Sequence, residues 1–208
     1  MLLKKFRDMV ANMNIYTNVY VVADENTKEG IVIDPGGAID KVYNYVENMQ
    51  LKIKYIVLTH CHADHIAGLK LLRTYYPNSK IVIHEKDMPG MTDPTINMCE
   101  TVGVPNNYIE ADIVVNEGDE IIFGDLKGKI IHTPGHTIGS MCILISDALF
   151  TGDTIFKRLY GRTDLKTGSE EDIQKSIQKI LKLPENTIIY PGHGAISIVR
   201  EEKVHYEN

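Results

Sequence analysis

Cysteine is scarce in this chain: Cys61, Cys99 and Cys142 are the only three among 208 residues. An odd number with no paired metal spacing argues against a disulfide-framed secreted domain and fits a reducing cytoplasm. Basic residues are outnumbered, 22 Lys and Arg against 28 Asp and Glu, for a net charge of -6. No basic block could track a phosphate backbone, so nucleic acid is not the expected partner. No run of eighteen apolar residues occurs, which excludes a membrane-spanning helix. Lys4, Lys5 and Arg7 lie near the start with no apolar segment behind them, so no export signal is read. Gly and Pro number 16 and 8, too few for a collagen-like or low-complexity chain. What is present, 43% apolar and 24% charged residues, describes a globular protein whose length suits one domain over 1–208.

Hydrophobic spacing divides the chain into short elements. Asn14 to Ala23 and Gly30 to Ile33 read as strands around a polar turn, and Asp34-Pro35-Gly36-Gly37 breaks the second. Val42, Tyr45, Val46 and Met49 recur at helical spacing, and Ile53 to Leu58 follows as a buried strand. A helix is predicted from Ile66 to Tyr76 and a strand from Lys80 to His84. Glu85 to Tyr108, with three prolines and Met88, Met91 and Met98, keeps no period and reads as an irregular excursion. Five short strands follow between Asp112 and Thr151. Ser169 with Asp172 makes a capping box for a helix striped by Ile173, Ile177 and Ile180. Thr187 to Tyr190 is a last strand, and Ala195 to Asn208 reads as a surface tail. This order suggests two sheets face to face with helices outside.

Polar side chains gather where strands end. The strand through Leu58 runs into Thr59-His60-Cys61-His62-Ala63-Asp64-His65. In extended backbone His60, His62 and Asp64 face one side, and entry into a helix swings His65 round, so one loop can feed two adjacent metals. Imidazoles and carboxylates without clustered thiolates suit zinc, iron or manganese. His136 in Thr133-Pro134-Gly135-His136-Thr137, Asp153 in Gly152-Asp153-Thr154 and His193 in Pro191-Gly192-His193-Gly194 are further candidate ligands at loop ends. The alternation that turns His60 and His62 inward turns Cys61 away, to a packing role.

The segments THCHADHIAG, TPGHT, TGD, GRTD and YPGHG, in this order from Thr59 to Gly194, resemble the metallo-beta-lactamase superfamily, particularly glyoxalase II-like hydrolases. The resemblance implies an α+β fold, an αββα sandwich of two mixed sheets with helices on the outer faces. It further implies His60, His62 and His136 around one metal, Asp64, His65 and His193 around a second, and Asp153 bridging them. Two divalent ions, Zn2+ first and Fe2+ or Mn2+ as alternatives, are the expected cofactors. Asp34 resembles a family position close to the ligands, able to orient an imidazole by hydrogen bonding, with a turn-capping Asx motif as the competing reading. Full glyoxalase II enzymes carry a C-terminal helical segment that helps bind glutathione, and only 15 residues follow His193.

The expected activity is hydrolysis of a small, anionic hydroxyacyl thioester by a metal-bridging hydroxide, which Asp64 and Asp153 help position. A mononuclear iron persulfide dioxygenase using His60, His136 and Asp153 is the main rival, since that branch is similar in THCHADHIAG and GRTD. Lactone or phosphoester hydrolysis and a non-catalytic metal-binding role are the remaining alternatives. Lys157 and Arg158 are candidates for attracting an anionic substrate at the mouth. Arg162 is read first as a loop brace with Asp164 and second as a substrate contact.

Overall fold

A computed structural model describes residues 1–10, 15–106 and 109–207 of the chain. The expected strand start at Asn14 and the end of the excursion at Tyr108 lie outside the described residues. The elements run β1 (Leu2–Met9), β2 (Tyr16–Ala23), β3 (Glu29–Ile33), α1 (Ile39–Asn48), β4 (Lys52–Val57), α2 (Ala63–Ile66), α3 (Leu69–Tyr75) and β5 (Lys80–His84). A 3-10 helix (Glu85–Met91), α4 (Cys99–Val102), β6 (Ile113–Val115), β7 (Glu120–Phe123), β8 (Leu126–His132), β9 (Met141–Ile145) and β10 (Ala148–Gly152) follow. The chain continues through β11 (Ile155–Phe156), β12 (Leu159–Tyr160), α5 (Glu170–Ile180), β13 (Ile188–Pro191), β14 (Ser197–Ile198) and α6 (Val199–Glu207).

Two six-stranded mixed sheets, ordered β1-β2-β3-β4-β5-β6 and β14-β13-β10-β9-β8-β7, make the middle of an αββα sandwich. Period-two alternation sorts their side chains into layers. Tyr20, Val22, Ile31, Ile33, Val57 and Val82 of the first sheet meet Phe123, Ile130, Ile143 and Phe150 of the second between the sheets. Their neighbours Val19, Val21, Val32, Ile56 and Ile81 face outward onto Val42, Val46, Leu69 and Leu72 of α1 and α3. On the other side Ile131, Leu149 and Ile189 pack on Ile173, Ile177 and Ile180 of α5. Because both faces of a central strand are covered, these strands read as continuous apolar runs.

Two expectations need correction, and one element went unread. The first residues form β1, an edge strand paired antiparallel along the whole of β2, Leu2 opposite Ala23 and Met9 opposite Tyr16. Its charged residues hid it from a pattern search, and charge is what an exposed edge uses to avoid further pairing. The helix predicted over Ile66 to Tyr76 is two, parted at Gly68, whose N–H leaves the helical ladder for the Pro35 carbonyl at 2.8 Å. The expected tail is ordered: Ser197–Ile198 pairs with β13, and α6 seats a fully buried Val199 in the outer core.

The site edge follows from strand direction. β3 and β4 run parallel, as do β10 and β13, while β8 and β10 are each antiparallel to β9 and so share a direction. The segments that follow β3, β4, β8, β10 and β13 carry every histidine and aspartate singled out above as a candidate ligand or ligand-orienting residue, Asp64 and His65 within α2 and the others in loops. Backbone bonds stitch the two sheets at this edge, from Met141 N–H to the Thr59 carbonyl (2.9 Å) and from Asn18 N–H to the Gly192 carbonyl (2.7 Å).

Candidate metal centre

Each ligand loop is held by a specific local device. Asp34, with φ of 53° in the left-handed region, accepts hydrogen bonds from Thr59 N–H (2.8 Å) and Thr59 Oγ1–H (2.7 Å), fixing the base of the His60 loop. The His136 loop is fastened to α5. Ser169 Oγ accepts the Asp172 N–H as its cap, while Ser169 N–H donates to the Gly135 carbonyl at 2.8 Å and Ser176 Oγ–H to the Pro134 carbonyl at 2.7 Å. The expected capping box is thus half made, its second half given over to positioning the loop. Gly192 must lack a side chain, because a Cβ there would strike Asp153 and His65.

Seven side chains converge from these loops. Their donor atoms form three groups, each within 4.8 Å: His60, His62 and His136; His60, His65 and Asp153; Asp64, His65 and His193. His62 Nδ1 lies 2.9 Å from His136 Nε2, and His136 Nε2 lies 3.6 Å from Asp153 Oδ2. His65 Nε2 is 3.3 Å from Asp153 Oδ1. His193 Nε2 sits 3.0 Å from Asp64 Oδ2 and 3.3 Å from Asp153 Oδ2. Asp153 therefore stands between the two outer groups.

The tautomers follow from what the other ring nitrogens face. His136 Nδ1 lies 2.8 Å from the Arg162 carbonyl and His193 Nδ1 lies 2.8 Å from the Tyr16 carbonyl, so each donates there and turns the lone pair of Nε2 inward. His65 Nδ1 lies 3.0 Å from Asp34 Oδ2 without a hydrogen bond between them, so this carboxylate acts on the ring by its charge. Lone pairs thus face lone pairs and carboxylate oxygens at the centre. His60 Nε2 and Asp153 Oδ1 are buried there without a hydrogen-bond partner. Such a convergence is repulsive unless positive charge lies within it, and that is the fit expected for divalent ions.

The electrostatics agree. Burial, reinforced by His136, holds the His62 imidazole down to about 3, a neutral ligand form. Burial alone would lower His193 too, but Asp153 and Asp64 outweigh it and raise it to about 10, so that without a cation Nε2 keeps a proton in the place a metal would take. Burial would raise Asp153, yet His193 and His65 keep it ionised well below the usual carboxylate range. The field on the second side favours positive charge at the point between Asp64, Asp153 and His193. The cluster is a candidate two-metal site with donors consistent with zinc or iron.

The other predicted residues separate. Arg162 borders the adjoining cavity of about 390 Å³, and its guanidinium is engaged by both oxygens of Asp164 at 2.7 Å each. Lys157 and Arg158 do not line that cavity: Lys157 lies 3.7 Å from Glu201, and Arg158 N–H donates to the buried Glu202 of α6. Cys61 is fully buried in the outer core. Of the three methionines, Met91 is core, Met88 is exposed, and Met98 lines the cavity. Sequence reasoning missed Asp87, a buried carboxylate that accepts from Cys61 N–H (3.0 Å), Thr137 Oγ1–H (2.7 Å) and Gly139 N–H (2.7 Å). It ties the His60 and His136 loops together from within the aperiodic excursion, where no spacing signal marks it. The Tyr16 and Arg162 carbonyls were likewise invisible, since a backbone acceptor has no residue type.

Among the described residues, no helix is long and apolar enough to cross a membrane. The profile of the metallo-beta-lactamase superfamily matches residues 14–193. The mitochondrial persulfide dioxygenase ETHE1 of Mus musculus is 32% identical over 197 residues, covering 90% of this chain and 69% of that protein. Among solved structures, the BLEG-1 B3 metallo-beta-lactamase superposes with a TM-score of 0.88 at 32% identity, covering 98% of this chain and 97% of the other. TTHA1623 in a di-iron-bound form gives 0.81 at 25% identity, covering 95% and 96%. The donor set and these likenesses support a metal-dependent enzyme, and the chain belongs to the metallo-beta-lactamase superfamily.

Proposed function

We propose that this chain oxidises persulfides, converting R–S–SH, dioxygen and water into R–SH, sulfite and two protons. The S–S bond breaks, the outer sulfur is oxidised as dioxygen is reduced, and the sulfur attached to R leaves as the thiol. The observation that carries this reading is the approach of two imidazoles and one carboxylate beside the cavity, which His136 and Asp153 line while His60 is buried next to them. His136 Nε2 lies 3.6 Å from Asp153 Oδ2, and the donor atoms of His60 and Asp153 lie within 4.8 Å. Such a triad suits iron(II), which when bound supplies redox chemistry and open positions for dioxygen and sulfur. Similarity to persulfide dioxygenases over 90% of the chain favours this branch above the thioester hydrolysis expected from the motifs.

The protein's own groups have definite tasks in this reading. The Arg162 carbonyl keeps the proton of His136 on Nδ1 and leaves Nε2 free. Thr59 Oγ1, 3.1 Å from His60 Nδ1 and bonded to Asp34, orients the second imidazole. Asp153 remains ionised.

Glyoxalase II-like thioester hydrolysis is the second reading, favoured by the separate Asp64, His65 and His193 group. Two ions sharing Asp153 would lower the pKa of a held water towards about 7 and supply the nucleophile. The two readings part on one sample, purified without oxygen and assayed for metal. Oxygen uptake matched by sulfite from a persulfide supports the first. Thiol release from a thioester, with no oxygen consumed and no sulfite formed from persulfides, overturns it in favour of the second.

A further inference from the structure

The cavity beside the metal centre is walled by Ile15, Met98, Val102, Phe156 and Leu165, all half-buried, with Arg162 the one Lys or Arg among the described lining residues. We infer that the substrate's organic group R is apolar and uncharged, a short alkyl or benzyl-like group, and not a carboxylate-bearing thiol carrier. The inference rests on the reading that a sulfur-borne substrate enters this site, and it concerns R alone.

Charge is the first argument. An anionic carrier needs unengaged cations at the wall, and the one Lys or Arg among the described lining residues is paired with Asp164. Arg162 Nε–H and Nη2–H donate to the two oxygens of Asp164. Lys166 Nζ bonds Thr95 and lies 3.8 Å from Asp93. Lys157 lies 3.7 Å from Glu201. Lys5, near the His193 loop, donates to the Gly194 carbonyl at 2.8 Å. A carboxylate entering the cavity would lose water and meet side chains of Ile, Val, Leu, Met and Phe, a costly exchange. An alkyl or phenyl group entering it gains in proportion to the apolar area covered.

The wall is built, which is the second argument. Met98 has φ of 67°, an unusual conformation for a residue with a long side chain. It is sustained by Asn97, whose side chain donates to the Gly90 carbonyl (2.8 Å) and accepts from Cys99 N–H (3.0 Å). The Asn97 carbonyl also accepts from Ala63 N–H at 2.8 Å, tying this wall to the ligand loop. Backbone strain held by so many bonds at a cavity edge marks a positioned surface. Phe156, also in the lining, sets its ring edge-on to His193, centroids 5.9 Å apart, so the apolar wall continues to the rim of the metal cluster. A volume of about 390 Å³ suits a small ligand.

Calorimetry on the metal-loaded protein tests this, with benzyl mercaptan and glutathione as probes. Benzyl mercaptan is expected to bind at least about tenfold tighter. Leu165→Asp and, from a separate segment of the chain, Val102→Asp should each weaken it about tenfold, with metal content and melting temperature checked for both. Asp164→Asn, which frees the Arg162 guanidinium, should raise glutathione affinity several-fold. Equal or tighter glutathione binding by the unaltered protein, or indifference of benzyl mercaptan binding to both wall variants in their folded, loaded form, overturns the proposal. Calorimetry reads contact and not turnover. If benzyl mercaptan binds as expected while benzyl persulfide gives no oxygen uptake, the apolar preference stands and the oxygenase reading falls.

Discussion

At the scale of single residues, the site is a set of acceptors aimed at one another, and each aim is set by a group behind it. Asp153 has no substitute, since its two oxygens face different groups: Oδ1 lies 3.3 Å from His65, and Oδ2 faces both His136 and His193. Asp153→Ala is therefore expected to bring metal content well below half of the unaltered value, by elemental analysis. His193→Ala should spare the ion near His60, His62 and His136, and equal loss from both positions would refute that division. Asp34 acts one shell further out, where loss of an orienting partner costs about 10–100-fold in metal affinity. Asp34→Asn keeps the volume but puts an amide N–H₂ where an acceptor is needed, towards either Thr59 or His65. Competition with a chelator should register this weakening while the melting temperature of the metal-free protein changes little.

At the scale of elements, α5 does more than cover the second sheet. Its first turn holds the His136 loop through Gly135, which has φ of 136° and no room for a Cβ against the Ile173 backbone. Two substitutions separate capping from positioning. Ser169→Ala removes the cap acceptor and is expected to cost about 1 kcal/mol, roughly 2–4 °C in melting temperature, with metal retained. Gly135→Ala should cost more and also reduce metal content, because the loop must shift off the helix. The α5 stripe was legible because Ile173, Ile177 and Ile180 repeat at helical spacing over a polar face. β1 was not, because Lys4, Lys5, Arg7 and Asp8 obscure its alternation. Its pairing is written in β2 and not in itself. α6 was unreadable for a similar reason: its burial rests on a few anchors, Val199 and Glu202, that only the completed second sheet makes sense of.

At the scale of the whole molecule, the candidate ligands were legible because chemistry marks them: imidazoles and carboxylates beside Gly and Pro at strand ends. What the sequence disclosed least was the cavity wall, of whose methionine candidates Met88, Met91 and Met98 only Met98 lines it. Met98 and Val102 come from an aperiodic stretch, and Phe156 and Leu165 from loops around a two-stranded ribbon, so no single pattern groups them. A second cross-sheet feature was also hidden. His84 ends β5 in the first sheet and His132 ends β8 in the second, yet their rings stack at 4.0 Å with an 11° tilt. Burial, with His132 and Lys86 adding to it and Glu117 and Asp119 opposing, lowers His84 to about 4, and Lys179 acts on His132. Between about 4 and 6.5 the unfolded chain then binds more protons at this position than the folded one, so stability falls as pH is lowered through that window. His84→Phe keeps a stacked ring without a titrating nitrogen. Denaturant unfolding of metal-free protein at pH 7.5 and 4.5 should show a smaller acid penalty in the variant, and an equal penalty would remove His84 as its source.

Four of the seven donors, His60, His62, Asp64 and His65, descend from the first sheet, while His136, Asp153 and His193 hang from the second. An ion gripped by both is a rivet through the seam. Pulling it out leaves the plates joined by greasy contact and a few backbone stitches. Occupancy of the centre should therefore be felt as stiffness across the molecule, in slower amide exchange on both plates at once, far from any atom that touches the ion.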